Sequence, residues 1–109
     1  MHELAITESI VSGVVERMGS TRIASLQLEI GVLSGVVPDS VRFCFGLVAE
    51  GTTVEGARLD IDEPRGRVAC SRCRADVEID GPVVLCPCGN TDVELLAGTE
   101  LRIRSVEVM

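Results

Sequence analysis

A chain of 109 residues with 17 acidic side chains against 10 basic ones, a formal net charge of −7, lacks the basic face that a phosphate backbone requires. Its 46% hydrophobic residues exclude a disordered chain, but aromatics are only 2%, so the core must come from Val, Leu and Ile. Such a core is thin in a chain this short, and a metal staple would reinforce it.

Leu4, Ile10, Val11, Val14, Val15 and Met18 recur at helical spacing and predict a first helix from Glu3 to Met18, stopped by Gly19. A clean alternation follows, with Leu26, Leu28, Ile30 and Val32 on one face and Ser25, Gln27, Glu29 and Gly31 on the other. That pattern predicts a half-buried strand. Residues 31–35 read as a turn. Pro38 suits the first turn of a second helix and Asp39 complements its positive end. Val41, Cys44, Phe45 and Val48 form its apolar face, Gly46 weakens it by about 1 kcal/mol relative to Ala, and Gly51 ends it. Cys44 on that face reads as a buried, inert thiol. A second strand alternates Ala57, Leu59 and Ile61 with Arg58, Asp60 and Asp62. After a cysteine-bearing stretch, Glu100 to Val108 predict a third strand. Leu101 and Ile103 fall on one phase and Val106 and Val108 on the other, which calls for a bulge or for cover on both faces.

The expected fold class is therefore α+β: two helices packed on a roughly three-stranded sheet, with an inserted four-cysteine zinc-ribbon module. Residues 1–63 with 99–109 would form a discontinuous α/β domain, and residues 64–98 the zinc-binding module. The opening MHELAITESI lacks the basic and apolar regions of a signal peptide, and no apolar run approaches the ~20 residues of a membrane span. A cytoplasmic protein is expected, with neither membrane nor nucleic acid as partner.

Four of the five Cys form two close pairs, Cys70-Ser71-Arg72-Cys73 and Cys86-Pro87-Cys88, separated by twelve residues. Two thiol pairs on tight knuckles, brought together by a hairpin between them, suit a tetrahedral Zn(II) site. The second pair has only one intervening residue. Both thiolates reach one metal only if the chain turns sharply at Pro87; otherwise one falls away and water or Asp92 fills its place. A saturated thiolate site has no open position, so the zinc would be structural. A redox reading of Cys70 and Cys73 lacks the strand–C-x-x-C–helix context that such sites need.

The chain's only imidazole is His2. A terminal His is ordinarily a solvated side chain. Here, however, the Met1 amine, the His2 amide nitrogen and the His2 imidazole can chelate one ion in two fused rings. An all-nitrogen set of that kind favours square-planar Ni(II) or Cu(II). Glu3 can add a fourth donor through its amide nitrogen or its carboxylate. Such a site is labile and pH-sensitive, because its donors must lose protons to bind.

The Met1-His2-Glu3 start and the inserted cysteine module are joined by several body motifs. These are Leu28-Glu29-Ile30-Gly31, Leu33-Ser34-Gly35-Val36, Pro38 with Val41-Arg42-Phe43, Glu55-Gly56-Ala57, Glu100-Leu101-Arg102-Ile103 and Val106-Glu107-Val108. Together they make the chain resemble the HypA/HybF family of hydrogenase maturation factors, the nickel metallochaperones, over essentially its whole length. The resemblance implies transferable Ni(II) at His2 with Glu3 beside it, and structural Zn(II) on Cys70, Cys73, Cys86 and Cys88. It also implies a HypB-type GTPase and a NiFe-hydrogenase large subunit precursor as partners, and in some organisms urease maturation proteins. The family pattern at the second knuckle is C-P-x-C-G, and this chain is one residue short of it. The first knuckle carries Arg74 where a Gly often follows.

A delivery protein is not an enzyme, and a single terminal His cannot assemble a hydrolytic constellation. The competing reading is a zinc-ribbon interaction or regulatory module without nickel delivery.

Overall fold

The computed structural model describes residues 2–79 and 83–109. The elements run α1 (His2–Met18), β1 (Ile23–Ile30), α2 (Pro38–Val48), β2 (Arg58–Asp62), β3 (Gly66–Cys70), β4 (Ala75–Ile79), β5 (Val93–Ala97) and β6 (Leu101–Val108). The strands form two three-stranded sheets, in the orders β2-β1-β6 and β4-β3-β5. The chain divides into two compact units. One comprises residues 1–28, 36–61 and 102–109, and the other residues 29–35 and 62–101. The second unit thus gathers the turn after β1 together with the cysteine segment, so its edges differ from the 64–98 read from composition.

In the first unit, helix α1 buries Thr7, Val11 and Val14. Thr7 can sit inside because its hydroxyl donates to the Glu3 carbonyl one turn back, at 2.6 Å. Gly19 ends the helix in the left-handed region (φ 62°), its N–H donating to the Val15 carbonyl at 2.9 Å. Helix α2 begins at Pro38 behind an N-cap, Val37, that offers no side-chain bond, and it buries Val41 and Phe45. It closes at Ala49, whose N–H donates to the Phe45 carbonyl, two residues earlier than Gly51 suggested. The two helices pack on each other. Leu26 and Leu28 of β1 are buried as well.

Strand β1 is central because only it has neighbours on both sides. Flanking hydrogen bonds join Ile23 N–H to Thr53 O and Val32 N–H to Pro64 O, both at 3.0 Å, and they advance in the same sense along both segments. This is the parallel arrangement that a helical crossover through α2 allows. On the other side, Met109 N–H to Arg22 O and Gly31 N–H to Glu100 O run in opposite senses, so β6 lies antiparallel. Val32, read as the last inward residue of β1, lies beyond the strand's end at Ile30 and is exposed. Ser25, read as solvent-facing, is buried; its hydroxyl donates to the Glu107 carboxylate and accepts from Gln27. The mixed phase of β6 does not reflect cover on both faces. Leu101, Ile103 and Val108 are all exposed and only Val106 is half-buried, as befits a strand at the sheet's edge.

The second unit is built on β3, with β4 and β5 antiparallel on either side. Its packing is close enough to exclude side chains at three positions. A Cβ on Gly31 would collide with the Gly98 carbonyl. One on Gly66 would lie 2.8 Å from Ile79 and from Leu33, and one on Gly98 (φ 115°) would lie 2.8 Å from the Gly66 Cα. Leu33 N–H donates to the Gly98 carbonyl at 2.7 Å, fastening residues 31–33 into this unit.

Candidate metal centre

Cys70 is the last residue of β3, and residues 71–74 turn the chain into β4. The turn closes where the Arg74 N–H meets the Cys70 carbonyl at 2.8 Å, and Arg74 takes φ 54°, a left-handed conformation that suits glycine. Inside the turn, the Cys73 N–H points at the Cys70 Sγ, 3.4 Å away. The second knuckle turns as sharply as its single intervening residue demands. The Gly89 N–H donates to the Cys86 carbonyl at 2.8 Å, so Pro87 occupies the second position of a β-turn, where its fixed φ belongs. Gly89 follows with φ 98°.

Among the described residues between the knuckles the only strand is β4, and it pairs back onto β3. Strand β5 returns to the far side of β3 and sets Val93 opposite Cys70, which delivers the second knuckle to the first. All four sulphurs, of Cys70, Cys73, Cys86 and Cys88, then lie within 4.8 Å of one another. The pairs Cys70–Cys88 and Cys73–Cys86 are each 3.8 Å apart. That far exceeds the ~2.05 Å of a disulfide. It matches the edge of about 3.8 Å expected for a tetrahedron of sulphurs around zinc, given Zn–S bonds of about 2.3 Å. The donor set and its spacing therefore fit a tetrahedral, thiophilic ion. Cys86 and Cys88 both take part, and Asp92 stays outside the cluster with its backbone bonded to Asn90.

Two cysteines are buried and two exposed. A hydrogen bond from the Asn90 amide, reinforced by the Cys73 N–H, lowers the Cys70 thiol to about 6. Contacts with the sulphurs of Cys88, Cys86 and Cys70 push Cys73 up to about 12. Thiols held this way share protons until a cation displaces them. Asn90 was not singled out by the sequence; its place immediately after the Gly that closes the knuckle was the available signal.

The proposed nickel residues lie in the first unit. His2 is the first residue of α1 and is exposed, while Met1 lies outside the described residues. Glu3 has one carboxylate oxygen on the Val37 N–H at 3.1 Å, which satisfies a donor at the N-cap of α2 and ties the two helix starts together. A cleft of about 470 Å³ opens beside it, lined by Glu3, Leu4, Asp39, Ser40, Phe43 and Cys44. Cys44 is accordingly half-buried at the edge of this cleft, not enclosed in the core as its helical phase suggested.

A family model described as "Hydrogenase/urease nickel incorporation, metallochaperone, hypA" matches residues 1–108. The hydrogenase maturation factor HypA of a Nostoc species is 41% identical over 108 residues, covering 99% of this chain and 96% of that one. Its counterpart in Geobacter metallireducens is 41% identical over 109 residues, covering 99% of both chains. The solution structure of the Ni metallochaperone HypA from Helicobacter pylori has the same fold. It gives a TM-score of 0.67 at 22% identity and covers 100% of this chain and 98% of that one. Among the described residues, no helix is long and apolar enough to cross a membrane.

Proposed function

Since this chain belongs to the HypA family of hydrogenase maturation factors, we propose that it binds Ni(II) at its amino terminus and delivers it to a NiFe-hydrogenase precursor. Zn(II) on Cys70, Cys73, Cys86 and Cys88 serves as a structural ion. The observation that carries this reading is a separation of donors. The four sulphurs form a complete set within one unit, while the only imidazole stands exposed at the first residue of α1 in the other.

A tetrathiolate site is coordinatively saturated and supports no exchange with a client. The amino-terminal donors are exposed, few and nitrogen-rich, a combination that takes Ni(II) and can release it. The Met1 amine, the His2 amide nitrogen and the His2 imidazole supply three donors, and Glu3 lies adjacent to supply the fourth. Its bond to Val37 keeps the first turn of α1 fixed, so that these donors start from one geometry. The protein acts by binding and transfer without catalysis, in the cytoplasm, with a HypB-type GTPase as the working partner and urease maturation proteins as alternative clients.

The test is a metal titration of the untagged chain, with nickel and zinc quantified separately. His2→Ala, or any residues added before Met1, should remove stoichiometric nickel binding and leave zinc in place, while a tag after Met109 should be harmless. Nickel bound at unchanged affinity by a chain with an uncleaved amino-terminal extension would overturn the terminal chelate.

A further inference from the structure

The second knuckle is one residue shorter than the C-P-x-C-G form, and the residue after its Gly, Asn90, bonds to both knuckles. In the first knuckle a backbone N–H, that of Cys73, stabilises the Cys70 sulphur. A second donor reaches the same sulphur from the other knuckle. The Asn90 side-chain nitrogen lies 3.5 Å from the Cys70 Sγ.

The orientation of that amide is fixed by chemistry. Its Oδ1 accepts from the Asp92 N–H at 3.1 Å, and its Nδ2 also donates to the Asp92 carbonyl at 3.2 Å. A flipped amide would set an N–H₂ group against the Asp92 N–H and an oxygen against a thiolate, losing every bond. The backbone of Asn90 is equally committed, its carbonyl accepting the Cys86 N–H at 3.0 Å. One residue therefore closes the second knuckle with its main chain and grips the first with its side chain.

We propose that Asn90 is a positioning residue of the metal centre, which completes the shortened knuckle and draws charge from the Cys70 thiolate. The proposal rests on the four-thiolate reading given above. A thiolate that accepts two N–H bonds is less electron-rich, holds its place around the ion, and yields more slowly to protons and competing chelators. The cluster carries a double negative charge when it holds a divalent cation, so a neutral donor aimed at one sulphur lowers the cost of concentrating that charge.

The test loads the full-length chain with Co(II) in place of Zn(II) and compares Asn90→Ala with Asn90→Asp. Asp retains the oxygen that accepts the Asp92 N–H but has no donor for sulphur. Both variants should move the sulphur-to-cobalt charge-transfer band to lower energy, and both should release zinc to a chromophoric chelator faster, on the order of ten-fold for a lost charge-assisted hydrogen bond. If Asn90 only shapes the loop, Asn90→Ala will release zinc faster while its charge-transfer band stays at the wild-type energy, and the proposal fails. It fails equally if Asn90→Ala leaves both unchanged. A wild-type chain without a four-thiolate cobalt spectrum would instead refute the metal reading itself, and this inference with it.

Discussion

Arg74 should be a poor residue for its position, and replacing it should tighten the metal site. It is the only non-glycine residue with positive φ among those described, at 54°. The conformation is enforced because the Arg74 N–H closes the first knuckle on the Cys70 carbonyl at 2.8 Å. A Cβ in this region costs roughly 1–2 kcal/mol. Glycine removes that cost but gives back about 0.5–1 kcal/mol through the greater freedom of the unfolded chain. The difference leaves Arg74→Gly more stable by about 0.5–1 kcal/mol. If the knuckle is ordered only around its ion, that gain appears as zinc affinity about two- to five-fold higher, since 1.4 kcal/mol is ten-fold. Competition against a chromophoric chelator resolves such a change. Arg74→Asn should also gain, because Asn tolerates the left-handed region, whereas Arg74→Ala removes the guanidinium and keeps the strain, so it should not. Equal tightening by Ala and Gly would show that the charge, and not the backbone, was at fault, and would refute this reasoning.

Gly31→Ala should cost at least about 3 kcal/mol in denaturant unfolding, because the new methyl collides with the backbone carbonyl of Gly98, which cannot rotate away; a cost below about 1 kcal/mol would show that the chain relaxes there. Chelating the zinc should open residues 62–79 and 83–101 to amide exchange while α1, α2 and β1 stay protected, and unchanged exchange in the cysteine segment after complete metal removal would count against a structural ion.

The first unit was legible because its helices and its central strand each turn one regular apolar face inward. Leu26 and Leu28 of β1 and Val41 and Phe45 of α2 recur at the spacing of a strand and a helix, and all four are buried. The reading slipped where a periodic run continues past the end of its element, as at Val32, or where a residue in phase borders a cleft, as at Cys44. The strands β3, β4 and β5 could not be read this way. Of their residues only Gly66, Val68, Cys70 and Ile79 are buried; three alternate along β3, but one is a glycine and one a cysteine, so no apolar period shows. Their pairing follows from sulphur positions and from glycine contacts, neither of which has a period. The cysteine spacing did single out the four residues whose sulphurs cluster, but not the route by which the knuckles meet. That route depends on β5 pairing with the far side of β3. Asn90 escaped notice because a single polar residue in a loop carries no pattern.

The buried side chains are unevenly distributed between the two units, and the unit with the sulphur cluster has the fewer. Among the described residues, the first unit buries Val11, Val14, Ile23, Leu26, Leu28, Val41, Phe45, Ala49 and Val54, drawn from both helices, a strand and a loop. The second buries Ile30, Val68, Ile79, Cys70 and Cys86. Two of those five are members of the sulphur cluster, so without an ion the apolar core of that unit shrinks to three aliphatic side chains packed over glycines. Each aliphatic residue contributes about 1.5–3 kcal/mol when fully buried. A tetrathiolate zinc, whose binding free energy in small domains is about 10–16 kcal/mol, would contribute more than those three side chains together. On the function proposed above, the ion of this unit stays in place through delivery while cargo is carried by donors that bear none of the fold's stability. Exposed at the first residue of α1, the His2 side chain meets that condition.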